Sequence, residues 1–137
     1  MRKSMVLTVV VGLLLAGYGM WSGGVWAADD AAKPTGKVLR HVVLFKFKDR
    51  ATPEDIKKIE EAFCALPGKI PVIHGFEWGT DVSTENLAQG ITHCFILTFR
   101  TEADRAVYLP HPEHKAFGAM LGPHLDKVIV VDYWTKP

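Results

Sequence analysis

A chain of 137 residues with 16 Lys and Arg against 15 Asp and Glu, 23% charged and 48% hydrophobic, has the profile of one globular domain and excludes a multidomain enzyme. A formal charge of +1, with no basic cluster beyond the first residues, removes the electrostatic footprint that nucleic-acid binding needs. Two cysteines without a Cys-x-x-Cys pair exclude a disulfide scaffold, a zinc ribbon and a thioredoxin-like site, so the fold rests on its core.

At the amino end, Arg2 and Lys3 precede an apolar run from Met5 to Leu15, and Val25-Trp26-Ala27 offers a cleavage position. Residues 1–27 read as a secretory signal peptide, with export to the periplasm or the extracellular space. The alternative is an uncleaved anchor. A bilayer span needs about 20 apolar residues, whereas Gly17, Gly19, Gly23 and Gly24 interrupt this run, so no stable membrane span is expected after cleavage. Residues 28–37, with Asp29, Asp30, Pro34 and Gly36, have no apolar periodicity and read as a short mobile tail. The folded domain is residues 38–137. Export permits Cys64 and Cys94 to pair, but one falls near the end of a helix and the other on a strand face turned from the helices. Two separate, small, buried residues are expected.

The first strand is Val38–Lys48, with Leu39, His41, Val43, Phe45 and Phe47 on one face. Thr52-Pro53-Glu54-Asp55 supplies a helix cap, a proline at the first helical position and acidic residues for the orphan amides. Ile56, Ile59 and Phe63 make the buried stripe of that helix, and Leu66-Pro67-Gly68 is expected to stop it. A second strand over Val72–Thr80 carries His74, Phe76 and Trp78 on one side, with Gly75 and Gly79 marking bends or close approach. Asp81–Gly90 is polar and joins two antiparallel strands. Ile91–Arg100 is the third strand, sending His93, Phe95, Leu97 and Phe99 one way and Cys94 and Ile96 the other. Thr101-Glu102-Ala103-Asp104 repeats the capping signal for a helix ending before Pro110. Pro112 opens another that runs to Leu121, and Val128–Trp134 is the last strand.

This βαββαβ order predicts an α+β, ferredoxin-like sandwich: a four-stranded antiparallel sheet with helices on one face. The first strand's other face still carries Val42 and Leu44, and the third strand repeats this with Ile96. A sheet apolar on both faces with helices for only one predicts a homodimer whose sheets pack into a dimeric α+β barrel.

Four histidines are candidates for chemistry: His41 and His93 on the helix-facing side of two strands, and His111 and His114 in the turn after Tyr108. Histidine titrates near neutrality, and the Tyr108 phenol can donate to a developing oxyanion. Each histidine alternatively satisfies a backbone group only. His111 and His114, three apart, also admit a metal site completed by other histidines, although no acidic or thiolate ligand is paired with them. His74 and His124 read as peripheral. Serine-nucleophile, Walker and dinucleotide patterns are missing from the sequence.

The segments His41–Lys48, Phe76–Val82, Thr92–Phe95, Tyr108–His114 and Val131–Trp134 together resemble the stress-responsive dimeric A/B barrel (Dabb) family over residues 38–134. The family fold is the same ferredoxin-like dimer, and its members include a ring-forming, boiling-stable plant stress protein and the plant polyketide cyclase olivetolic acid cyclase. The resemblance implies a homodimer, or a larger ring, that binds a small apolar or phenolic ligand or acts in stress protection, without a cofactor. The alternative it implies is a cyclase-like lyase in which His114 is general base for an aldol closure and Tyr108 stabilises the enolate oxygen. Tyr108 and His114 match the cyclase's catalytic pair, and His41, His93 and His111 match histidines it carries. Phe63 stands where the cyclase has a pocket tyrosine, and Phe45 and Phe95 replace smaller aliphatic residues. The cavity is therefore expected to be narrower, or filled by Phe45, Phe95, Phe117 and Leu125. A haem- or metal-binding barrel is the third reading. The catalytic candidates are Tyr108 and His114; His41, His93, His111, Phe45, Phe63, Phe95 and Phe117 are the ligand-binding candidates.

Overall fold

The computed structural model describes residues 36–136. The expected signal peptide over residues 1–27 lies outside the described residues, as does most of the expected tail over residues 28–37. Among the described residues seven elements follow in chain order: β1 (Leu39–Phe47), α1 (Pro53–Lys69), β2 (Gly75–Thr80), β3 (His93–Phe99), α2 (Glu102–Tyr108), α3 (Pro112–Leu121) and β4 (Leu125–Trp134). The strands form one antiparallel sheet in the order β2-β3-β1-β4. This is the ferredoxin-like arrangement read from the sequence.

Local chemistry sets the helix starts. Thr52 accepts from the Asp55 amide while Asp55 returns a bond to the Thr52 amide, and Thr101 and Asp104 repeat the exchange at α2. Helix α1 does not stop at Leu66-Pro67-Gly68. It runs to Lys69 with Pro67 inside its last turn, because the missing proline amide removes one bond while the closing one, from the cap residue Ile70 N–H to the Leu66 carbonyl at 2.8 Å, still forms. Burial of Leu66 and Ile70 holds that turn in place. Strand β2 starts at Gly75 and not at Val72, since Ile73 turns back on Ile70 and buries itself in the core. Gly75 is a close approach: an added Cβ would come within 3.0 Å of Thr98. Strand β4 begins at Leu125, three residues before the expected Val128, and β3 is trimmed to His93–Phe99.

The core lies between the sheet and the helices. Phe45, Phe95 and Leu97 from the sheet meet Ile59 and Phe63 of α1 and Phe117 of α3. Phe63 is its hub, with ring centroids 4.3 Å from Phe95 and 4.6 Å from Phe117. Among the described residues no helix covers the other face of the sheet. There Val42, Leu44 and Ile96 are half-buried, and Ile129, Val131 and Tyr133 of β4 are 40%, 49% and 46% exposed. Cys64 and Cys94 are both free, but Cys64 is exposed and not buried. It lies on the solvent side of α1, off the stripe of Ile59, Phe63 and Leu66.

Candidate active site

An apolar cavity of about 480 Å³ lies between the helix-facing side of β1 and β4 and the helix α3. Val128 and Val130 sit opposite Phe45 and Val43 in the β1–β4 register. They line the cavity yet stay 46% and 50% exposed, because the helices leave this edge strand uncovered. Of the outcomes the sequence left open, a filled space is not the one found. Phe45, Phe117 and Leu125 form walls and not a plug, and Phe95 is fully buried behind Phe63 and does not line the cavity. A pocket of this size, apolar with a few polar groups, suits a small organic ligand.

The polar groups gather at one end: His41, Tyr108, His114 and Asp132. Asp132 faces His41 directly across the β1–β4 ladder. His41 Nδ1 and Asp132 Oδ1 are 2.6 Å apart, and the other carboxylate oxygen accepts from Arg105 Nη1 at 2.7 Å. The carboxylate thus bridges a guanidinium and a buried imidazole, whose Nδ1–H donates to it.

Tyr108 ends α2, and Pro110-His111-Pro112 turns the chain straight into α3, where His114 stands in the first turn. His111 N–H bonds the Tyr108 carbonyl and Pro112 takes the first helical position, so the turn is tight. It brings the Tyr108 and His114 rings to a centroid distance of 4.3 Å. His114 Nδ1 donates to the Leu109 carbonyl at 2.9 Å, which leaves Nε2 as the basic nitrogen. The His41 ring meets Tyr108 edge-on at 5.7 Å. Tyr108 is 1% exposed, and burial pushes its phenol well above the ordinary value of 10.0. It is a proton-bearing donor at every physiological pH. Among the described residues no buried side-chain polar atom lacks a partner, and the Tyr108 hydroxyl bonds none of them. Tyr108 is one of the residues that line the cavity.

The sequence-derived candidates divide. His41, Tyr108, His114, Phe45, Phe63 and Phe117 come together around the cavity. His93 shares a face with His41 but sits at the other end of the sheet: it opposes Phe45 in the ladder, four residues or about 13 Å along β1 from His41. Its ring is fully used, Nδ1 with Thr92 Oγ1 at 2.8 Å and Nε2 with Glu60 Oε1 at 2.9 Å. His111 caps α3, its Nδ1 accepting from the Glu113 amide at 3.2 Å. The four histidines do not converge, and among the described residues no group of three His, Cys, Asp or Glu side chains is placed to hold a metal ion. Of the two peripheral histidines, His74 lies 3.6 Å from Asp104 and His124 lies 3.6 Å from Asp55.

Sequence reading missed Asp132 and Arg105 as site residues. Asp132 is an acidic residue that interrupts the apolar run of β4 on its helix-facing side, and that break in pattern was the available signal. Arg105 carried none, being one charged residue on a short helix.

The sequence matches the Stress Responsive A/B Barrel Domain family (Dabb) over residues 39–135. It is 42% identical over 95 residues to the stress-response A/B barrel domain-containing protein HS1 of Arabidopsis thaliana, covering 69% of this chain and 87% of that protein. It is 30% identical over 95 residues to olivetolic acid cyclase of Cannabis sativa, covering 69% of this chain and 94% of the cyclase. Among solved structures, the hydroxynitrile lyase of Passiflora edulis superposes with a TM-score of 0.69 at 27% identity, over 72% of this chain and 94% of the lyase. A dimeric ferredoxin-like protein of unknown function from Thermobifida fusca gives a TM-score of 0.64 at 25% identity, over 74% of this chain and 93% of its own.

Proposed function

The chain belongs to the stress-responsive A/B barrel domain family, and from that premise we propose that its cavity binds a small apolar or phenolic carbonyl compound and moves a proton on it. His114 Nε2 is the general base, and the Tyr108 hydroxyl donates to the oxygen that gains negative charge. The observation that carries this reading is the placement of Tyr108 and His114 side by side at the polar end of an open apolar cavity. His114 takes a proton from an acidic carbon or hydroxyl of the ligand, Tyr108 stabilises the resulting oxyanion by hydrogen bonding, and the imidazolium returns the proton to the product. Closing a ring onto a carbonyl and cleaving a hydroxynitrile both turn on such a transfer, and the relatives include a cyclase and a hydroxynitrile lyase.

The domain acts as a homodimer, its open sheet face packed on that of a second copy. The uncovered apolar residues Val42, Leu44, Ile129 and Val131 support this, as does the dimeric relative. The setting is export followed by a stress-related role. Arg2, Lys3, the apolar run to Leu15 and Ala27 support the first, and the 42% identity with a stress-response protein supports the second.

The test is paired. NMR titration with a dihydroxybenzoate is expected to perturb Tyr108 and His114, and mandelonitrile is expected to release benzaldehyde faster than in buffer. His114→Ala should lower that release about 100-fold while dihydroxybenzoate still binds. If neither ring responds to dihydroxybenzoate and mandelonitrile is untouched, the cavity reading is wrong. N-terminal sequencing of the protein from its own source tests cleavage after Ala27.

A further inference from the structure

We propose that the connection between β2 and β3, residues 81–92, is a preformed arm that clasps a second copy of this chain. The proposal rests on the homodimer reading above and names a part of the interface outside the sheet. Gly79, Cys94, Leu44 and Ile129 are successive ladder partners and make one row across all four strands on the open face. Gly79 leaves the β2 end of that row without a side chain, and among the described residues nothing lies within 4 Å of where its Cβ would be. Beyond it the arm overhangs the sheet and bounds a cleft of about 660 Å³. Val82 and Leu87 lie on the arm side of this cleft, with Leu44, Cys94 and Ile129 on the sheet side.

The arm is built, not slack. Asp81 N–H bonds the Thr92 carbonyl and Thr92 N–H bonds the Phe45 carbonyl, both at 2.9 Å, which staples its base to the sheet. Asp81 then accepts from the Ser83 amide at 3.1 Å and Ser83 Oγ from the Glu85 amide at 3.3 Å. Asn86 and Gln89 take left-handed backbone angles, φ 57° and 53°. Gly90, φ 81°, lies so near the Lys46 side chain that an added Cβ would come within 2.8 Å. All of this structure holds Val82 89% exposed and Leu87 72% exposed. Two large apolar side chains fixed in solvent beside an apolar cleft mark an interaction surface. The occupant is a second copy, because the cleft opens onto the face that the dimer buries. A two-fold axis would also let each arm reach the other subunit's sheet.

Sedimentation velocity of the full chain across micromolar concentrations tests this with two variants. The wild type is expected to be a dimer, Val82→Asp/Leu87→Asp to weaken it at least tenfold, and the sheet-face control Val131→Asp to give monomer. Dimerisation by the arm variant as tight as wild type, with Val131→Asp monomeric, overturns the arm and leaves the dimer standing. A monomeric wild type overturns both. Should the arm variant fail to fold, hydrogen exchange on the wild type decides: amides 81–91 gain protection with concentration if the arm clasps a partner. Unchanged exchange there overturns the proposal, as does a dihydroxybenzoate that fills the cleft in a stable monomer.

Discussion

His41 and Asp132 are 91 residues apart in the chain and 2.6 Å apart in the fold, and Arg105 grips the carboxylate from its other side at 2.7 Å. The three groups join the central strand β1, the edge strand β4 and helix α2 at the polar end of the cavity. Removing Asp132 leaves a buried imidazole and a guanidinium without their acceptor.

Asp132→Ala is therefore expected to lower stability by about 1–3 kcal/mol, the range for leaving a buried polar group without its partner, measured by urea unfolding. Arg105→Ala should cost less in that background than in the wild type, with a coupling of about 0.5 kcal/mol or more. Additive losses would show that the three groups do not act as one unit.

Tyr108 carries a pH signature. Burial raises its phenol above the ordinary 10.0, so between that value and the folded one the native state holds a proton that the unfolded state has lost. The stability this supplies is complete below about pH 10 and falls as pH rises through the folded value. Tyr108→Phe has no such proton. The difference in unfolding free energy between wild type and Tyr108→Phe is expected to shift against the wild type from pH 9 to pH 11.5, and a constant difference would contradict the burial argument.

Phe95 and Phe117 both touch Phe63, but only Phe117 faces open space. Phe95→Ala should cost about 4–5 kcal/mol and Phe117→Ala about 3 kcal/mol, because the second change enlarges an existing cavity and does not create a sealed one. Thermal denaturation gives the ranking. Equal costs would mean that the cavity is closed in solution.

The start of α1 tests capping. Thr52→Ala is expected to cost about 1 kcal/mol. The Thr52 amide, followed by its hydroxyl, holds the Asp55 carboxyl below the ordinary 3.8. That contribution is present above 3.8 and is lost as pH falls through the lower folded value. Asp55→Asn should flatten the acid limb of the stability curve, and an unchanged limb between pH 4 and pH 2 would assign acid unfolding elsewhere.

Alternation and capping are written in neighbouring residues, so the sequence by itself determined the element order, the helix-facing side of each strand and the apolar row opposite. Thr52, Thr101 and Pro112 announced three helices, and Phe45, Phe95 and Phe63 announced the core. Parity placed His41 and His93 correctly on one face, but a period of two says nothing about which end of a sheet a residue occupies. Only the ladder decided that: His41 falls opposite Asp132, and His93 falls opposite Phe45. The same pairing, made between segments tens of residues apart, recruited Asp132 to the site, where Arg105 of α2 meets it, and the cavity stays open beside β4. Register is a property of two strands together, and no local pattern in either one contains it.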